Sequence, residues 1–289
     1  MTELKRTYWE DVQVPKLKLP ALSCDAHCHI FGPAERFPYL PDRSFTPVDA
    51  PKEKLFALHH TLGIERCVIV QTALHGFDNS VVVDAMQAKP GSYFGVALSS
   101  AKVTSAELKD MYQQGFRGVR FNFMAHLKNS DSMEDILALS KRLEPLGMHL
   151  QVHFSSDLVH ELAPQLKQSA APVMIDHMGR VDANKGPHHE DFEALLKLMD
   201  DPKMHMKVSG VDRIVSSSDY TEGVKLAKIL VDRFTEKCVW GTDWPHPNHH
   251  HIPHDEILVD TISQIADSDK KIEHIMVSNP ESFYQFKHQ

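Results

Sequence analysis

The chain has 289 residues, 42% of them hydrophobic and 24% charged, enough to bury a core without help from disulfides. Its formal charge of −8 excludes the basic face that nucleic acid or an anionic membrane surface would require. No apolar run approaches the roughly 20 residues of a membrane span, and residues 1–20 lack an apolar signal core, so a soluble, cytoplasmic protein is expected.

In chain order, residues 1–20 read as an irregular arm packed across the rest of the fold. A first strand is expected at 23–30, and a long loop rich in Pro, Phe and Asp at 31–51. Further strands are expected at 66–71, 93–98, 118–123, 149–154, 173–176, 205–208 and 238–241. Several are apolar at nearly every position, as parallel strands covered on both faces must be. Helical spacing fills the gaps between them. One helix opens at Ser105, a cap candidate, and ends at Gly115. Another runs over 131–143 with apolar residues three and four apart and stops at Gly147. Others are expected at 157–168, 190–199 and 222–234, with one or two closing helices over 272–286. Strands alternating with helices make βαβ units, and eight such strands predict a closed (β/α)8 barrel of TIM type in a single domain spanning 1–289. An open doubly wound sheet is the competing architecture, but it would usually carry a Gly-rich phosphate loop after an early strand, and none is present.

In such a barrel the C-terminal strand ends share one mouth. Those ends read Asp25-Ala-His27-Cys-His29, Arg120-Phe-Asn-Phe, Gln151-Val-His153-Phe, Ile175-Asp-His177-Met-Gly-Arg180 and Trp240-Gly-Thr-Asp243-Trp-Pro-His246. His27 and His29 are two apart and face one side of a strand. In a chain with 20 histidines that pair alone says little. With His153, His177 and Asp243 it makes a set of imidazoles and a carboxylate suited to a divalent ion, zinc above all. Asp243 can also take a proton from water as a general base.

Arg120, Arg180 and Arg213 each lie close to a strand end. A guanidinium in a semi-buried mouth calls for an anion, and its fork matches a carboxylate. The three together predict a small-molecule substrate with two or more anionic groups. The alternative pairs Arg180 with Asp182 and Arg213 with Asp212. Weaker candidates come after strand eight: His246 and Asn248 as site residues, with His249, His250 and His251 expected in solvent. Lys207 could form a Schiff base, although a structural role is favoured. Asp78 and Asn79 hold substrate or form a turn, and Ser209 is too isolated to read as a nucleophile. Cys24, Cys28, Cys67 and Cys238 lie in or beside apolar runs with no C-x-x-C, which predicts buried, reduced thiols.

From about Leu22 to Phe286 the chain resembles the amidohydrolase superfamily, and within it the 2-pyrone-4,6-dicarboxylate lactonases and related lactone hydrolases. The resemblance is carried by Asp25-Ala-His-Cys-His-Ile-Phe-Gly-Pro, Gly118-Val-Arg-Phe-Asn-Phe, Ile175-Asp-His-Met-Gly-Arg and Trp240-Gly-Thr-Asp-Trp-Pro-His-Pro-Asn. It implies hydrolysis of a cyclic ester in aromatic-compound catabolism, with Asp243 as general base. His27, His29 and His177 would polarise the carbonyl or hold a metal that does, and Arg120, Arg180 and Arg213 would grip carboxylates. The pyrone lactonases carry a tyrosine where this chain has His153 and an arginine where it has His126, a further substrate-binding candidate. They are regarded as metal-independent, so His153 favours a divalent ion here, at His27, His29, His153, His177 and Asp243. The change at His126 makes a sulfomuconolactone or another muconolactone a competing substrate. A metal-dependent decarboxylase of the same superfamily and an inactive ligand-binding barrel are the remaining alternatives. The oligomeric state is left open.

Overall fold

The computed structural model describes residues 4–124 and 131–287; His126 lies outside the described residues. Eight parallel strands line up as β1 (Cys24–Cys28), β2 (Arg66–Val70), β3 (Tyr93–Leu98), β4 (Phe116–Asn122), β5 (His149–His153), β6 (Val173–Ile175), β7 (Met204–Lys207) and β8 (Cys238–Val239). All eight expected strands form, most of them somewhat shorter than their apolar runs. The trimming falls mainly at the C-terminal ends, where the backbone leaves the ladder to build the mouth. The sheet closes between β8 and β1. Ala26 N–H donates to Trp240 O at 2.9 Å, Asp243 N–H to His27 O at 2.7 Å and His29 N–H to Trp244 O at 2.7 Å. This is the (β/α)8 barrel that the alternation of elements predicts.

Helices α1 (Lys52–Leu62), α2 (Ser80–Ala88), α3 (Ser105–Gln114), α4 (Met133–Leu143), α5 (Val159–Leu166), α6 (Glu190–Met199), α7 (Thr221–Phe234) and α8 (Asp255–Ile265) cover the outside. Each buries one stripe, such as Ile136, Leu139 and Leu143 of α4. The cap of α3 is Thr104 rather than Ser105. Its hydroxyl accepts from Glu107 N–H at 3.2 Å while Glu107 Oε2 accepts from Thr104 N–H at 2.8 Å, a reciprocal pair that Ser105 one residue on could not make. Two short helices, α9 (Asp269–Glu273) and α10 (Asn279–Tyr284), end the fold, with a π-helical turn between them. Tyr284 and Phe286 pack with Cys24, Ala26, Val68, Val70, Phe94, Val96 and Val239 and plug the barrel floor.

The N-terminal arm is irregular except at Leu4–Lys5, which pairs in parallel with Thr46–Pro47 of the loop after β1. Farther on, Tyr8 is buried against the Trp244 ring, their centroids 5.3 Å apart. The loop after β1 is cinched at its base by mutual backbone bonds between Phe31 and Ala50 at 3.0 and 2.8 Å. Its middle crosses the mouth. All four cysteines are free and buried, as expected.

Candidate active site

Strand β1 has a register shift against β2 between Asp25 and Cys28. On a regular strand Asp25, His27 and His29 would share one face. The irregularity separates them, as bulges near active sites do. Asp25 turns to the wall, where its Oδ1 accepts from Thr242 N–H at 3.1 Å and its Oδ2 from the Thr242 hydroxyl at 2.6 Å. His59 Nε2 of α1 lies 3.2 Å from the same carboxylate. His27 and His29 turn to the centre. Gly241 completes this seam, since a Cβ there would lie 2.5 Å from His27 N.

His29 Nδ1 donates to Val70 O at 2.7 Å, which aims Nε2 at Asp243 Oδ1, 3.2 Å away. His27 Nε2 and His177 Nε2 lie 3.7 and 3.8 Å from that oxygen. His177 Nδ1 is held by the Ser209 hydroxyl at 3.0 Å, and a Cβ at Gly210 would lie 3.2 Å from His177 Cβ. His153 Nδ1 meets Asn122 Oδ1 at 3.2 Å. Burial pushes the His27 imidazole down to about 3, with help from the Lys207 charge, and lowers His153 and His177 well below the ordinary range. All three are therefore neutral rings at neutral pH. Burial alone would raise Asp243, but the Arg213 guanidinium and the imidazoles hold its carboxyl well below the usual carboxylate range.

Among the described residues, His27 Nε2, His153 Nε2, Asp176 Oδ1, Asp243 Oδ1 and Arg213 Nη2 are buried around this centre without a hydrogen-bond partner. One ligand atom each from His27, His29 and Asp243 lie within 4.8 Å of one another. Imidazole nitrogens of His27, His29 and His177 around one carboxylate oxygen are the donor set of a borderline divalent cation, so these residues fit such an ion, while His153 belongs to no such group among the described residues.

The backbone that delivers these groups is left-handed. His177, Met178, Gly179 and Arg180 have φ of 48, 53, 59 and 55°, and Asp243 and Asn248 have 62 and 54°. Left-handed conformation costs a non-glycine residue roughly 1–2 kcal/mol, and such strain gathers at functional sites. Here it lets consecutive residues Asp176 and His177 both reach the centre, which strand alternation would forbid. Asp176, fully buried, accepts from Arg120 Nε at 2.8 Å and lies 3.2 Å from His27 Nδ1 and 3.7 Å from Lys207 Nζ. Lys207 donates to Gln151 Oε1 at 2.9 Å and lies sealed in the barrel, pushed down to about 8 by burial.

Above the centre opens a cavity of about 550 Å3. His29, His153, His177, Asp243, Arg120, Arg180, Arg213 and Asn248 line it, and His27 sits buried just behind. His246 does not reach it. That ring is buried against Asp255, with Nε2 3.1 Å from the carboxylate, because the left-handed turn at His246 (φ 55°) points it into the wall. His249 is buried too, not solvent-exposed, and bonds Asp212. Asp212 is thereby taken, and Arg213 pairs with Asp243 instead, with Nη1 donating to Pro247 O at 3.0 Å. Asp182 caps Asn184 N–H at 3.0 Å. Asp182 is engaged by the Asn184 side chain as well, and burial beside Arg213 lowers Arg180 to about 10. Asp78 and Asn79 form the turn into α2, with Asp78 Oδ1 accepting from Ser80 N–H at 3.1 Å.

The amidohydrolase family model matches residues 24–286. The chain belongs to the amidohydrolase family. This amidohydrolase is 38% identical over 281 residues to a 2-pyrone-4,6-dicarboxylate hydrolase of Comamonas testosteroni, covering 93% of this chain and 92% of the relative. It is also 38% identical over 274 residues to a 4-sulfomuconolactone hydrolase of Hydrogenophaga intermedia, covering 92% and 89%. Among solved structures, a probable 2-pyrone-4,6-dicarboxylic acid hydrolase of Acinetobacter baumannii, with citric acid bound, superposes with a TM-score of 0.83 at 26% identity. That match covers 92% of this amidohydrolase and all of the other chain.

Proposed function

We propose that this amidohydrolase opens a ring lactone bearing at least two anionic groups by attack of water on the ester carbonyl. The observation that carries the reading is the cavity itself, which sets a buried His/Asp centre beneath guanidinium groups in one enclosed space. The names of the two relatives support the substrate class, since one acts on a dicarboxylated ring and the other on a sulfonated lactone. Their identities are equal, so the choice between carboxylate and sulfonate rests on contacts at the mouth.

In this reading Asp243 takes the proton of the attacking water. Arg213 fixes the carboxylate through Oδ2 and leaves Oδ1 free to receive it. The water oxygen bonds to the carbonyl carbon, the ring C–O bond breaks, and Asp243 returns the proton to the departing ring oxygen. Arg180 holds a substrate anion beside the centre, with Arg120, steadied by Asp176, on the same wall. Asn248 adds a neutral polar contact at the rim. A divalent ion, zinc by the ligand chemistry, would be held by His27, His29, His153, His177 and Asp243 and would supply Lewis-acid polarisation of the carbonyl.

The test is ring opening of 2-pyrone-4,6-dicarboxylate and 4-sulfomuconolactone by purified protein, followed in the ultraviolet, with and without added zinc. Turnover of either substrate, lost by several orders of magnitude in Asp243→Asn, is the expected result. Failure to open any anionic lactone under both conditions removes the proposal, and release of CO2 in place of ring opening replaces it with a decarboxylase.

A further inference from the structure

The sequence puts three arginines at the mouth, but two of them are already paired in the folded chain. Arg120 is engaged by Asp176 and Arg213 by Asp243, and both of those carboxylates are buried. Each of these two guanidiniums thus faces a buried carboxylate, which reduces the positive charge that it offers an incoming anion. A doubly anionic substrate therefore needs cations from elsewhere. Arg180 is one, and the loop after β1 provides another.

Arg43 stands on that loop and lines the cavity together with Ser44 and Phe45. Its guanidinium is anchored twice, with Nη1 donating to Leu40 O at 2.8 Å and Nε to Thr46 Oγ1 at 2.9 Å. Both anchors are neutral acceptors, so they fix the position of the group without cancelling its charge. A half-buried guanidinium whose position is set by neutral acceptors is what a planar anion recognises. The anchoring also spares the rotamer entropy that a free surface arginine would lose on binding.

We propose that Arg43 is a specificity-determining residue that receives the substrate anion farther from the ester carbonyl, while Arg180 receives the nearer one. The division comes from where each is mounted. Arg180 ends the left-handed turn that begins at His177, beside the catalytic carboxylate, whereas Arg43 is carried by the loop that crosses the outer mouth. This assignment rests on the lactone-hydrolase reading.

The experiment compares wild type, Arg43→Gln and Arg43→Lys on a dianionic lactone and on the matching monoanionic lactone. It also measures binding of citrate, as a non-reacting polycarboxylate, by calorimetry. For Arg43→Gln the Michaelis constant for the dianion should rise by about 10-fold or more, with kcat held within about 2-fold. The monoanion should be nearly unaffected, and citrate affinity should fall in parallel. Arg43→Lys should recover part of the loss, because the charge remains and the fork is lost. Equal kinetics of wild type and Arg43→Gln on the dianion, with citrate affinity unchanged, overturn the assignment while leaving the hydrolase reading intact. An equal loss on both substrates also overturns it, since that assigns Arg43 to holding the loop. A wild type that opens no lactone yet binds citrate through Arg43 would sink the hydrolase reading and this assignment with it, leaving Arg43 as an anion contact only.

Discussion

His29 Nε2 and Asp243 Oδ1 face each other across 3.2 Å, with the ring's Nδ1–H already given to Val70 O. Two acceptors at that distance repel unless a proton or a cation lies between them. His27 Nε2, unpartnered and 3.7 Å from the same oxygen, adds a further lone pair. The centre is thus built to be completed by something positive.

Metal analysis of the purified protein should accordingly find about one divalent ion per chain. Chelation should lower both activity and Tm, and zinc should restore them. His153→Tyr removes a buried nitrogen that has no other partner, so its metal content should drop. Retention of full stoichiometry in that variant would show that His153 is not a ligand.

The Ser209 hydroxyl steadies the His177 ring through Nδ1, at 3.0 Å. Ser209→Ala should lower kcat by about 10- to 100-fold, the range found for partners that orient a ligand imidazole, with a smaller effect on KM. Unchanged kcat would mean that Gly210 and the strained turn suffice to place the ring.

Asp176 is the one carboxylate shared by Arg120, His27 and Lys207 in a sealed interior. Asp176→Asn leaves two buried cations without their counter-charge and should destabilise the fold by about 3–5 kcal/mol, measured by urea denaturation. Adding Lys207→Met should recover part of that loss. If the double variant is no more stable than the single one, the ammonium is not what the carboxylate compensates.

His149 lies on the barrel floor, where burial and the Lys207 charge push it down to about 3. Unfolded, it would titrate near 6.5. The unfolded chain therefore binds the extra proton between those values, and the contribution of His149 to stability is complete above about pH 6.5 and lost as pH falls toward about 3. His205, lowered to about 4 by burial, acts in the same sense. His149→Leu should flatten the fall in stability between about pH 6.5 and 4 by about 1.4 kcal/mol per pH unit. Parallel stability curves for variant and wild type would contradict this.

The barrel was legible because its strands are apolar on both faces, and the placement of His29, His153, His177 and Asp243 around one cavity was legible because strand ends converge. What sequence periodicity could not reveal lies where the backbone leaves regular geometry. Asp176 adjoins His177, and alternation assigns it to the opposite face; only the left-handed turn after it brings both inward. His246 fails for the same reason in reverse, aimed by its own left-handed φ at Asp255. Asp212 adjoins Arg213 in sequence, but His249 holds it. Arg43 belongs to a loop whose path no periodicity encodes.

The seam between β8 and β1 has a consequence for when the centre comes into being. His27 and His29 emerge early from synthesis, and Asp243 arrives only after all eight strands have been laid down. The bonds Asp243 N–H to His27 O and Thr242 hydroxyl to Asp25 both close the barrel and set the reacting groups. Activity is therefore a reporter of ring closure: a molecule whose first and last strands have parted keeps most of its core and loses its catalyst at once.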